Sequence, residues 1–110
     1  MKEKQKYYVL NQGDIIKIAG FDKRKFVIIS KNAFIRATGV FHVCPLLKEK
    51  NDGPLHIIVL DNETNTTGTA ICEQVKLIDP AARACSKIGR IRYDDIMEVS
   101  DAIQGMFEYD

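Results

Sequence analysis

The sequence predicts a mainly β domain, a compact curved sheet or partly open barrel closed by a C-terminal helix. Two observations carry this. Most apolar residues fall in short, β-branched runs bounded by Gly, Pro, Asn and Asp, and the surest stretch of helical periodicity comes last. With 110 residues the chain reads as a single domain, 1–110, long enough for one core without staples.

Residues 15–19 (IIKIA) form a first, weaker strand candidate after Gly13-Asp14. Residues 26–29 (FVII), 40–47 (VFHVCPLL) and 55–60 (LHIIVL) are stronger, several of them apolar on both faces and so central in a sheet. Residues 69–72 (TAIC) are again weaker. The segments NDGP at 51–54 and DNETN at 61–65 are turns, because their residue types favour tight backbone geometry. SKNAFIRATG at 30–39 suits a short helix with Ser30 as cap and Gly39 just past its end. Residues 94–107 make the longest helix. Asp94 or Asp95 caps it, and Ile96, Val99, Ile103, Met106 and Phe107 share one face that reads as core.

Composition excludes several classes. A hydrophobic content of 45% and a charged content of 28% are ordinary for a soluble globular protein. No run approaches the roughly 18 apolar residues of a membrane helix, and MKEKQKYYVL lacks the apolar core of a signal peptide. The expected compartment is the cytoplasm. Cys44, Cys72 and Cys85 are odd in number and form no CxxC, so neither a disulfide framework nor a zinc site is indicated. His42 and His56 each lie in an apolar strand and read as satisfied structural histidines.

Charge is more informative than its total. The net value is +1, yet residues 1–50 carry 11 Lys and Arg against four acids, and residues 51–110 carry five against 11. Such asymmetry hints at a face that meets a polyanion. Its sharpest point is Lys23-Arg24-Lys25 on the turn between two strands, with only Asp22 as a neighbouring acid. Read alone, the triplet is a solvated hairpin tip.

The ordered set GDII at 13–16, RxFVIIS at 24–30, AFxRATG at 33–39, HVCP at 42–45, GTAICEQVKLID at 68–79 and IG at 88–89 resembles the MazF/PemK/Kid family of type II toxin–antitoxin toxins. The resemblance implies an SH3-like or CcdB-type curved sheet and a homodimer. It also implies an endoribonuclease that cuts single-stranded RNA through the 2′-hydroxyl without metal or cofactor, and a cognate antitoxin whose acidic tail lies in the RNA groove. Arg24 matches the family's catalytic arginine, with Lys25 where proline is usual. Glu73 matches an acid some members use, as base or to orient the arginine, and Arg83 matches a basic residue near the RNA face. Lys23, Lys25 and Lys48 are the candidate charge contacts to RNA.

Two departures stand against full carry-over. The family's catalytic threonine is replaced by Leu47, which donates no hydrogen bond, and the loop AGFDK is much shorter than the glycine-rich loop usual there. Leu47 therefore keeps a second reading open: a module whose chemistry has lapsed, binding RNA, DNA or antitoxin without cleavage. A third, a toxin with a protein target like the gyrase-poisoning relatives of the same fold, has no residue of its own in its favour.

Overall fold

Side-chain alternation along the central strands divides the apolar residues between two faces of one curled sheet. The computed structural model describes residues 9–21 and 23–109. Most of the N-terminal stretch weighed above, with Lys2, Glu3, Lys4 and Lys6, lies outside the described residues, as does Asp22. The elements run β1 (Asp14–Ile18), β2 (Lys25–Ile28), α1 (Asn32–Thr38), β3 (Phe41–Leu47), β4 (His56–Asp61), β5 (Thr66–Ile71), β6 (Lys76–Ile78), β7 (Cys85–Arg90) and α2 (Tyr93–Gly105). The sheet order is β4-β5-β3-β2-β1-β7, with β6 also on β3, and the pairings are antiparallel. The expected mainly β architecture, a curled half-barrel with a C-terminal helix, is what the chain forms.

Successive residues face opposite ways, as the two-residue period of a strand requires. Ile15, Val27, Cys44, Val59, Ala70 and Cys72 point inward with Ile91 and with Ile96 and Val99 of α2. Ile16, Ile18, Phe26, Ile28, Phe41 and Val43 form the second core with Ile78 of β6, and Ile35 of α1 packs against it. Cys44 and Cys72 are thus buried as expected and Cys85 is half-buried; all three are free thiols.

A seam curls the sheet. The end strand β4 meets the chain just after β7 through an Asp61–Ile91 bridge and a hydrogen bond from Asn62 N to Arg90 O at 2.7 Å. Buried carboxylates pin this seam. Asp14 accepts from Arg90 Nη1 at 2.8 Å and from Asn11 N at 2.8 Å. Asp95 accepts from the Arg92 guanidinium and, at 2.8 Å, from Leu60 N. Asp61 accepts from Glu63 N and Thr64 Oγ1 at 2.9 Å and from Arg90 N at 3.2 Å. Burial pushes the Asp61 carboxyl upward, but these donors together hold it below the ordinary aspartate value. The two charge halves of the sequence are therefore interleaved here, since Asp14 of the basic half meets Lys87 and Arg90 of the acidic one.

Several local expectations need correction. Ser30 does not cap α1: Lys31 is the N-cap, and the Ser30 hydroxyl instead meets His42 Nδ1 at 2.8 Å and accepts from His42 N at 2.7 Å. His42 is the satisfied structural histidine the sequence suggested. Gly39 closes α1 in the left-handed region as expected, φ +77°, with its N–H on Ile35 O. Helix α2 starts earlier than 94 with Arg92 at its N-cap, because Asp95 is committed to Arg92 and Leu60 and cannot turn back to cap. It ends at Gly105, which leaves Phe107 76% exposed and off the core face. Strands β6 and β7 were not legible in the sequence. β6 is three residues long, and β7 reads CSKIGR, polar enough to pass for a loop. Among the described residues no helix is long and apolar enough to cross a membrane.

Gly89 lies where the seam is tightest. A Cβ there would run into the Asp61 carboxylate, which is buried and held by its donors and so cannot swing aside. Gly89→Ala is expected to lower unfolding free energy by about 1–3 kcal/mol, the usual cost of overpacking, read as a drop in the urea midpoint. An unchanged midpoint would show that the seam is slack.

Candidate functional site

At one end of the sheet, the start of β2, the end of β3, the start of β4 and the chain after β5 surround a groove of about 560 Å³. The loop from β1 delivers the cations. Arg24 N donates to Phe21 O at 3.2 Å, and Lys23 adopts φ +66°, a left-handed conformation that costs a non-glycine residue energy and collects at functional sites. Lys23, Arg24 and Lys25 are exposed and line the groove, as do Lys48, Glu49 and Glu73. Four cations thus face two carboxylates, which favours an anionic ligand.

Lys25 and Lys48, with Leu46 and Leu47, also line a second cavity of about 700 Å³ that reaches Thr67 and Gly68. The cleft therefore continues on both sides of the end of β3. Of the six site residues read from the sequence, Lys23, Arg24, Lys25, Lys48 and Glu73 come together here. Arg83 does not. Its Nη1 bonds Ala19 O at 3.2 Å and its guanidinium stacks over Phe21 at 5.0 Å, outside the groove lining.

Leu47 is half-buried in the wall, opposite Thr69 in the β3–β5 register. The Thr69 hydroxyl is spent on Glu49 O at 2.9 Å and is buried, so it offers the groove no donor in Leu47's place.

Sequence reasoning missed His56. Its Nε2 lies 3.0 Å from Glu73 Oε2 and its Nδ1 lies 3.1 Å from Asn51 O, with the ring 15% exposed at the groove wall. The signal was present in the hairpin turn at 61–65. Counting outward from it pairs His56 with Ile71 and brings Glu73 to the diagonal position. The contact with Glu73 raises His56 above the ordinary histidine value, and the same contact holds Glu73 below the ordinary glutamate value.

Comparison with known proteins agrees with this architecture. Residues 11–107 match the family model described as PemK-like, MazF-like toxin of type II toxin–antitoxin system. No curated protein sequence matches the chain. Among solved structures, MazF in a MazE–MazF complex from Deinococcus radiodurans superposes with a TM-score of 0.76 at 18% identity, covering 91% of this chain and 97% of that one. An endoribonuclease in complex with its cognate antitoxin from a mycobacterial species gives 0.74 at 13% identity, covering 92% and 99%. The Mycobacterium tuberculosis toxin MazF-mt6 gives 0.62 at 20% identity, covering 87% and 98%. At these identities the structures speak for the fold.

The His56–Glu73 contact predicts a pH window. Its stabilisation is complete below the ordinary histidine value and is lost as pH rises through the raised His56 midpoint. On the acid side it is lost as pH falls through the lowered Glu73 midpoint. An NMR titration of the His56 ring should show a midpoint above the ordinary value that falls back in Glu73→Gln. An unchanged midpoint in that variant would mean the two groups do not interact in solution.

Proposed function

The chain belongs to the family of PemK-like, MazF-like toxins of type II toxin–antitoxin systems, and from that premise we propose that its groove cleaves single-stranded RNA in the cytoplasm. The observation that carries the reading is the convergence of Arg24, three lysines and a carboxylate–imidazole pair on one cleft. Cleavage through the 2′-hydroxyl develops charge on the non-bridging phosphate oxygens. Arg24, always charged and with forked donors, stabilises it. Glu73 takes the proton of the attacking 2′-hydroxyl. Lys23, Lys25 and Lys48 hold the strand, and DNA resists because it lacks the internal nucleophile. The chemistry needs no metal or cofactor.

The partner follows from the same charge. An acidic, extended antitoxin segment is the inhibitor that fits a basic groove of this shape, as the complexes of the structural relatives with their antitoxins suggest. A curved sheet this small also suits burial of one face across a two-fold axis, so we propose a homodimer. Sedimentation at micromolar concentration should give twice the 12.5 kDa of the chain; a species that stays at the monomer mass overturns the dimer.

Leu47 favours a second reading, a module that binds RNA, DNA or antitoxin without cutting. Losing one oriented transition-state donor costs about 3–4 kcal/mol, a 100- to 1000-fold loss of rate. A fluorogenic RNA–DNA chimera with one ribonucleotide separates the two. Wild type should cut it and leave a 2′,3′-cyclic phosphate, Arg24→Ala should lose nearly all cleavage, and Arg24→Lys should recover little. Equal cleavage by Arg24→Ala would remove Arg24 from the site. A silent wild type with an active Leu47→Thr would establish the binding module.

A further inference from the structure

The groove holds one group suited to a task that neither arginine nor lysine performs well. When the bond from phosphorus to the 5′-oxygen breaks, the departing alkoxide needs a proton. The best donor has a pKa near the working pH, whereas guanidinium and ammonium groups hold their protons too tightly. Resting on the reading of the groove as an RNA-cleaving site, we propose that His56 is the general acid, donating from Nδ1 to the leaving 5′-oxygen while Glu73 holds Nε2.

The geometry supports this assignment in three ways. Both ring nitrogens face acceptors, Glu73 Oε2 at 3.0 Å and Asn51 O at 3.1 Å. A neutral imidazole has a single N–H and satisfies only one of them, so the imidazolium, the proton-loaded form, is the one that makes both contacts. A carboxylate on one nitrogen fixes the ring while the other nitrogen works, the logic of histidine in acyl transfer. Here the working side faces Asn51, an exposed residue of the connection between β3 and β4, whose carbonyl a substrate oxygen can displace. Finally, the ring lies against Gly53. A Cβ there would come within 2.6 Å of Nδ1, so only glycine leaves the ring its place.

The proton balance closes through solvent. The 2′-oxygen bonds to phosphorus as the bond to the 5′-oxygen breaks. The 2′-hydroxyl proton passes to Glu73 and the Nδ1 proton of His56 passes to the 5′-oxygen. Glu73 is left protonated and His56 neutral with its remaining proton on Nε2; water takes the Glu73 proton and returns one to Nδ1, which restores both. The groups that set the charge around His56 are Glu73 and Cys72 beyond β5, Lys48, Glu49 and the Asn51 carbonyl after β3, and Lys23, Arg24 and Lys25 across the groove.

The test compares two chimeric substrates, one with the natural 5′-oxygen and one with sulfur at that bridging position. A thiolate leaves without protonation. His56→Gln should lower kcat on the oxygen substrate by about 100- to 10,000-fold, the range of general acid–base catalysis. On the sulfur substrate it should cut at nearly the wild-type rate, which also shows that the variant is folded. Arg24→Ala should be slow on both. The wild-type rate on oxygen should fall as pH rises through the His56 midpoint, a limb that His56→Gln lacks. His56→Gln cutting the oxygen substrate at the wild-type rate, or equally slowed on both, overturns the acid assignment alone. A wild type that cuts neither substrate overturns the ribonuclease reading and this assignment with it.

Discussion

A curled sheet that stops short of a full barrel leaves the backbone of its end strand in need of partners. In this chain the end of β4 finds them at the start of the last connection, and Asp61 is the residue on which the join turns. Its backbone bridges Ile91, and its carboxylate gathers N–H groups from its own turn and from Arg90. A buried carboxylate with fewer donors would be costly; with these it orders the turn and the strand end at once. Asp95 does the same for Leu60 and ties α2 to the neighbouring residue of β4. The helix is thus fixed by a carboxylate as well as by Ile96 and Val99.

The groove depends on that closure. Its cationic wall belongs to the β1–β2 loop, β2 and β3, while His56 and Glu73 belong to the β4–β5 hairpin. The seam holds the far end of that hairpin against the end of β7, and its near end lines the groove with Arg24. A wall of cations and a wall bearing an imidazole–carboxylate pair come from different parts of the chain, and the curl of the sheet makes them face each other.

This division also explains what could be read before folding. The cations were legible because three of them adjoin in sequence, and Glu73 because it stands inside the EQVKLID segment that resembles a known family. His56 was not, because a single strand read by itself gives no reason to set a groove-lining histidine apart from a structural one; the reason lies across the hairpin. Arg83 lies outside the groove lining. Its type and position suited an anion contact, but Phe21 offers its ring face and Ala19 its carbonyl close at hand. The strands with apolar runs were legible through their period, and β7 was not, since its pairing with β1 and the ion pairs of Lys87 and Arg90 with Asp14 supply what its own residues lack. The capping errors share a cause. Ser30 and Asp95 are good caps in isolation, and each is claimed by a more distant partner.

Strand β3 forks. Its first residues pair with β6 and its last two, Leu46 and Leu47, with Ala70 and Thr69 of β5, while Cys44 and Pro45 between them have neither strand as a ladder partner. Proline, which has no N–H to leave unsatisfied, suits the gap. The hairpin that carries His56 and Glu73 is consequently held at its seam, by a two-residue ladder to β3, and by Val59, Ala70 and Cys72 in the core. Imidazole and carboxylate ride on the same hairpin, so any change in its tilt moves them together relative to the cations and leaves their contact intact.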